Sequence, residues 1–205
     1  MKEKILEGAE KLFFQFGVRS VSMDDVAREL SMSKKTLYQY FTNKDELVSE
    51  MARAHMAAEK QEFTDIARNT SNAIEELFNI SICLREHMEK MNPSLIYDLQ
   101  KYHSKAWQHF LDYKNEFIRG TVIDNIRRGK SEGHYRQEID EEILSILRVE
   151  TIQMVFDERF FPKAKFHFPT VQMQVFDHFV HGLLTEKGTQ LYKQYQSQEA
   201  KQSIS

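Results

Sequence analysis

Residues 21–47 read Val21-Ser22-Met23-Asp24-Asp25-Val26-Ala27-Arg28-Glu29-Leu30-Ser31-Met32-Ser33-Lys34-Lys35-Thr36-Leu37-Tyr38-Gln39-Tyr40-Phe41-Thr42-Asn43-Lys44-Asp45-Glu46-Leu47. The stretch encodes two short helices, a tight turn and the start of a third helix. Ser22 stands as an N-cap, with Asp25 three residues on in the capping-box position, where Asp reaches less far than Glu. Val26, Ala27 and Leu30 supply the buried side of a helix that ends near Leu30. Ser31-Met32-Ser33 is too short to join independent elements and reads as the turn of a helix-turn-helix. Ser33 caps the second helix, whose Leu37 and Phe41 share one face. Asn43 caps the next, and Glu46 completes a second capping box.

With Leu37 and Phe41 turned inward, the second helix shows Lys34, Lys35, Tyr38 and Gln39 outward, flanked by Tyr40. Lysines bind phosphate oxygens or guanine edges, glutamine pairs with adenine, and tyrosine hydroxyls bond phosphates. Lys44 falls at a helix N-terminus, where backbone N–H groups already favour a phosphate. The spacing, the caps and the paired aromatics together predict a unit that reads duplex DNA. Charge alone does not: residues 1–50 hold eight basic and nine acidic side chains, net −1. Residues 28–44 hold Arg28, Lys34, Lys35 and Lys44 against Glu29, net +3, a small patch suited to specific dimeric binding.

Ile5-Leu6-Glu7-Gly8-Ala9-Glu10-Lys11-Leu12-Phe13, then Gly17, Ser22 to Ala27 and Thr36 to Leu47, resemble the N-terminal domain of tetracycline-repressor (TetR) family transcriptional regulators. The resemblance covers about the first quarter of the chain. It implies DNA contacts at Ser22 or Met23, at Lys34, Lys35 and Thr36, at Tyr38 and Tyr40, and at Lys44. Two positions depart from the family pattern. Ser31 stands where the turn usually holds glycine, so it must tolerate a left-handed conformation. Lys35 stands where a small residue is common, which implies a different reading of the operator.

The 205 residues carry 41% hydrophobic side chains and net charge −3, enough for a core and no general attraction to polyanions. One cysteine, Cys83, excludes an internal disulfide framework and fits a reducing cytoplasm, where it reads as a small buried hydrophobe. The first helix carries Glu3, Glu7 and Glu10 and is no signal peptide. No apolar run reaches membrane-spanning length.

Seven glycines, three prolines and few alternating β-branched stretches predict an all-α chain. The expected organisation is a helix-turn-helix domain over 1–47, continued by a connecting helix to about 68. A helical ligand-binding and dimerisation domain follows over 69–195, then a disordered polar tail over 196–205. Ile5, Leu6, Ala9, Leu12, Phe13 and Phe16 form the first stripe, closed by Gly17. Further helices are expected over Asn72 to Met91, Leu95 to Tyr102, Ser104 to Lys130, Glu141 to Asp157 and Thr170 to Tyr195. A phenylalanine-rich loop, Phe160 to Phe168, joins the last two.

One recognition helix reads too few base pairs for useful specificity, so a homodimer is expected. Pairing the last two helices with their twofold mates gives a four-helix bundle, the arrangement the resemblance also implies. Its seam is expected at Ile143, Leu147, Val175, Phe176, Phe179 and Leu183. Tyr97, His103, Trp107 and Phe110 mix aromatic bodies with polar tips, and Glu150 and Met154 lie on the Glu141–Asp157 helix. Those six are the expected lining of a pocket for an apolar or aromatic inducer, although an aromatic stripe is more often core. His178 and His181, beside Asp177, lack a third ligand, and no metal or cofactor is expected. No phosphate loop, zinc spacing or nucleophile elbow appears, so enzymatic activity is not expected. The leading reading is a dimeric operator-binding repressor released by a small ligand. A regulator controlled by a protein partner, and a helical enzyme or carrier, are the alternatives.

Overall fold

The computed structural model describes residues 1–202, the last three by backbone alone. The chain is all-helical and condenses into two compact units, each built from separate stretches. Unit 1 comprises residues 1–61 and 90–113, and unit 2 residues 62–89 and 114–205. Among the described residues, no helix is long and apolar enough to cross a membrane.

In unit 1, α1 (Lys2–Phe16) buries Ile5, Ala9, Leu12 and Phe13, the stripe its sequence spacing predicts. Gly17 ends it at φ 79°, its N–H on the Phe13 carbonyl. A Cβ at Gly17 would stand 2.5 Å from the Ser94 hydroxyl, so side chains are barred there by space as well as by conformation. The helices α2 (Met23–Glu29) and α3 (Lys34–Tyr40) are followed by the long α4 (Lys44–Asn69), whose first part belongs to this unit. The short α6 (Ser94–Tyr102) and α7 (Ser104–Asp112) complete it. They are stitched to the beginning of the chain. Asn92 donates its N–H to Phe14 O at 2.7 Å, and Arg19 N–H reaches the buried Asp98 carboxylate at 3.2 Å.

The expected caps form. Ser22 and Asp25 make the reciprocal capping box at the head of α2, and Ser33 Oγ accepts from Thr36 N–H at 3.0 Å. The third is displaced by one residue. Asn43 accepts from Glu46 N–H at 2.9 Å, but Glu46 itself accepts from Thr42 N–H at 2.6 Å rather than from Asn43. Ser31 is the only described non-glycine residue with positive φ, at 51°. Its N–H bonds Arg28 O at 3.1 Å and the Met32 N–H bonds Ala27 O at 2.9 Å, the bond pair of a Schellman C-cap.

Unit 2 contains the end of α4, α5 (Ala73–Lys90, all but its last residue), α8 (Arg119–Ser131), α9 (Glu141–Val155), α10 (Phe168–Leu183) and α11 (Glu186–Gln202). The expected single helix from Ser104 to Lys130 is interrupted by a π-helical segment, Tyr113–Ile118, at whose first residues the chain passes from unit 1 to unit 2. The expected helix Thr170–Tyr195 is two helices, broken at Leu184-Thr185. There Arg136 N–H bonds Leu183 O and Thr185 N–H bonds His134 O, both at 2.9 Å. Residues 196–202 of the expected disordered tail continue α11, and residues 203–205 lie outside the described residues.

The core of unit 2 gathers Phe63, Ile74, Phe78, Ile126, Tyr135, Phe176, Phe179, Leu183 and Tyr192. Tyr135 is fully buried against Gly129, where a Cβ would stand 2.1 Å from its ring. Its hydroxyl donates to either Ala73 O at 3.1 Å or Asn125 Oδ1 at 2.9 Å.

Replacing Ser31 by glycine removes the steric penalty of a side chain in the left-handed region, about 1 kcal/mol. Ser31→Gly is expected to raise the melting temperature by about 2–4 °C and Ser31→Val to lower it. Calorimetry of the two variants checks this; a lower melting point for the glycine variant refutes it.

Candidate nucleic-acid interface and effector site

The outer face of α3 follows from its inner one. Leu37 is fully buried and Phe41, just past the helix, nearly so, which leaves Lys34, Lys35, Tyr38, Gln39 and Tyr40 exposed on and beside one surface. Lys34 Nζ sits 2.8 Å from Asp24, which raises its pKa through the hydrogen bond and the charge. Both partners are more than half exposed, so exchanging Asp24 for a phosphate costs little. The Thr36 hydroxyl pairs with Ser33 Oγ at 2.8 Å and is half-buried. Ser22 is exposed at the mouth of α2, and its hydroxyl and N–H hold the Asp25 carboxyl below the usual carboxylate range.

Two expected contacts are placed differently. Met23 is 7% exposed, a core residue of unit 1 rather than a DNA-facing one, so of the pair at the α2 entry only Ser22 faces outward. Lys44 is half-buried, and its ammonium donates to Val18 O at 2.6 Å. Burial lowers its pKa against the opposing pull of Asp98 and Asp25. Its first task is to tie the α1–α2 loop to the head of α4.

The six residues expected to line a ligand pocket are divided between the two units. Tyr97, His103, Trp107 and Phe110 belong to unit 1, and Glu150 and Met154 to unit 2. Tyr97 is exposed and accepts from Lys101 at 2.9 Å, and His103 bonds Asp45 at 2.8 Å. Trp107 stacks on the buried Phe110 with centroids 5.1 Å apart. Glu150 is exposed and pairs with Lys114 at 3.0 Å. None of the six lines the cavity of about 820 Å³ in unit 2, which α5, α10 and α11 form from Phe78, Ser81, Arg85, Met173, Phe176, His181, Tyr192 and other residues. His178 and His181 also face that cavity, with His181 3.6 Å from Asp177. Elsewhere in unit 2, Glu62, Cys83 and His87 bring ligand-type atoms within 4.8 Å of one another.

The expected dimer seam also divides. Phe176, Phe179 and Leu183 are 3%, 8% and 0% exposed, enclosed in unit 2's own core, and Val175 is half-buried. Ile143 and Leu147 are 63% and 54% exposed, with Ile146 beside them at 48%. The inward face of α9 is instead Ser145, Arg148, Val149, Ile152 and Val155.

Sequence reading missed Arg148 as a buried group. Its guanidinium lies over the rings of Phe176 and Phe179, 5.0 and 5.8 Å from their centroids, and Nη1 has no hydrogen-bond partner. Burial alone pushes its pKa down to about 10. Its position beside Ser145 and Val149 on a wheel was the available signal.

Residues 5–51 match the model of the bacterial regulatory proteins of the tetR family. The HTH-type transcriptional regulator YvaF of Bacillus subtilis is 30% identical over 189 residues, 91% of this chain and 97% of that protein. The chain therefore belongs to the tetR family: it is a DNA-binding transcriptional regulator, not an enzyme. Two solved structures share the fold. A transcriptional regulator from Saccharomonospora viridis in complex with choline is 19% identical, with TM-score 0.69 over 90% of this chain and 98% of that one. FadR of Bacillus subtilis in complex with stearoyl-CoA is 14% identical, with TM-score 0.64 over 89% and 99%.

Tyr38→Phe is expected to weaken binding to every DNA sequence alike, by roughly fivefold, through loss of one hydroxyl bond to phosphate. Lys34→Ala is expected to reduce the salt slope of binding by about one. Lys35→Ala and Gln39→Ala are expected to change base preference. Fluorescence anisotropy on operator variants at several salt concentrations checks all four, and a Tyr38→Ala protein with intact fold and unchanged affinity refutes the assignment.

Proposed function

We propose that the protein is a homodimeric repressor acting in the cytoplasm. Two α3 helices occupy a twofold operator, and a small molecule bound in the C-terminal helices releases them. The observation that carries the DNA-binding half is the exposed set Lys34, Lys35, Tyr38 and Gln39 on a helix held by capped turns. Ser22, Thr36 and Tyr40 flank it, and Lys44 lies at the head of α4.

The dimeric half rests on α9. Ile143, Ile146 and Leu147 form a contiguous apolar stripe in water, the feature that marks an association surface. A second copy of the same stripe supplies a self-complementary partner, as twofold symmetry requires. Paired recognition helices then stand about 34–36 Å apart, or a multiple of one DNA turn. A dimer laid across a promoter excludes polymerase by occupancy alone.

The ligand half is supported by the open space in unit 2 and by relatives of the fold solved with small molecules, one a cation and one an acyl-CoA. Release requires the ligand to bind the DNA-free conformation more tightly than the DNA-bound one. The helix α4 runs unbroken from the head of the DNA-reading domain into unit 2, a covalent route for that difference.

Leu147→Glu puts a charge in the seam without touching the core of either unit. It is expected to yield folded monomers in sedimentation and to lose operator affinity by on the order of 100-fold or more. Phe179→Glu, in contrast, is expected to unfold unit 2. Wild-type protein that sediments as a monomer at micromolar concentration, on and off its upstream DNA, refutes the dimer. Absence of sequence-specific binding refutes the operator.

A further inference from the structure

Unit 2 pairs its other sequestered cations with carboxylates. Lys114 is 2% exposed, and its ammonium donates to Glu150 at 3.0 Å and to Gln153 at 2.8 Å. Arg128 reaches Glu76 at 3.1 Å and Glu132 at 3.0 Å. Lys130 donates to Ile139 O at 2.9 Å and lies 3.5 Å from Glu141. Arg148 breaks this pattern. It is 4% exposed, no carboxylate among the described residues is paired with it, its guanidinium lies over the faces of Phe176 and Phe179, and its buried Nη1 has no hydrogen-bond partner. A guanidinium withdrawn from water without an anion is a standing penalty that evolution removes by substitution unless the charge has a use.

The helix α10 also holds a buried polar atom without a partner. Gln172 is 2% exposed and its Oε1 has no donor. It precedes Phe176 by one turn, on the same buried face of α10. A donor on α9 and an acceptor on α10 are thus both unfilled. Phe176 links Arg148 to open space, since its ring lies against the guanidinium and also lines the 820 Å³ cavity, with Phe78, Met173 and Tyr192 on its apolar side and Arg85, Glu89, Asp177 and Glu199 among its charged lining.

We propose that Arg148 receives the acidic group of the effector, so that the effector is an organic anion with an apolar body. This inference rests on the ligand-controlled reading above. The acid oxygens accept from Nη1. A hydroxyl or amide of the ligand, or a water it carries, donates to Gln172 Oε1. The apolar body takes the cavity beyond Phe176, whose ring turns aside to join the two spaces.

The experiment compares wild type, Arg148→Met and Arg148→Lys as full-length protein by thermal unfolding. Each is measured alone, with decanoate or benzoate, and with the neutral partners decanol or benzyl alcohol. Operator binding without additive is followed in parallel. Without additive, Arg148→Met is expected to melt a few degrees above wild type, because it deletes an uncompensated charge at similar volume. Wild type is expected to gain melting temperature from at least one carboxylate and not from its alcohol, Arg148→Lys to gain less, and Arg148→Met to gain nothing. Four outcomes overturn the proposal: a lower melting point for Arg148→Met alone, no carboxylate response in wild type, a response that survives in Arg148→Met, or conversion of that variant to a folded monomer. The last would give the guanidinium a carboxylate of a second copy instead. Wild-type operator binding with any of these outcomes leaves the regulator reading intact; loss of operator binding counts against that reading and not against Arg148.

Discussion

A serine held at φ 51° sets the geometry on which DNA reading depends. The turn between α2 and α3 must reverse the chain within three residues, and a left-handed residue at the end of α2 is the shortest way to do it. Serine lacks glycine's freedom there, so the surroundings must impose the conformation. They do so from both sides. The capping box of Ser22 and Asp25 fixes the head of α2, and the Ser33 cap fixes the head of α3. The two Schellman bonds lock the residue between them. Leu37 and Phe41 then have one place to go, and the polar face of α3 turns outward as a consequence.

The rest of unit 1 over-determines the same geometry. Lys44 on Val18 O, Arg19 N–H on Asp98 and Asn92 on Phe14 O tie the α1–α2 loop to the head of α4 and to α6. A residue such as Lys44 therefore acts before any DNA arrives, by holding the frame in which Lys34 and Tyr38 are presented. Positioning of this kind lowers the ordering cost of association.

Legibility in the sequence followed the range of the interaction. Caps and turns are local, and Ser22, Asp25, Ser31, Ser33 and Asn43 were readable to within a residue. The Glu46 carboxylate takes the N–H of Thr42, one residue before the Asn43 cap. Faces of helices whose partners are distant in sequence were harder. Phe176, Phe179 and Leu183 are as apolar as an interface, but they join a core cluster with residues of α5, distant in sequence, and with Ile126, Tyr135 and Tyr192. The helix α9 carries apolar residues all round, so its stripe did not say which side was core. Burial of Arg148 runs against the usual ranking of side chains, so its place beside Ser145 and Val149 on the wheel was outweighed by its charge. The pocket residues are split between the units for a related reason. Tyr97 to Phe110 and Glu150 to Met154 belong to different units, a division set by contacts and not by order along the chain.

The helix α9 departs from what folding alone favours on both of its faces. A stability-optimised helix would place Ile143, Ile146 and Leu147 inward and leave an arginine at the surface; α9 does the reverse. Each inversion weakens the isolated chain, the outer one through exposed apolar area and the inner one through a desolvated charge. Ordinary packing errors are purged when they cost this much, whereas groups that meet a partner or a ligand are retained at the expense of stability. The two inversions also lie back to back on one short helix. On the proposed reading, a group bound at Arg148 would press on the same helix that offers its outer stripe to a second copy, so that a shift of α9 would be felt at the inner site and at the outer stripe together.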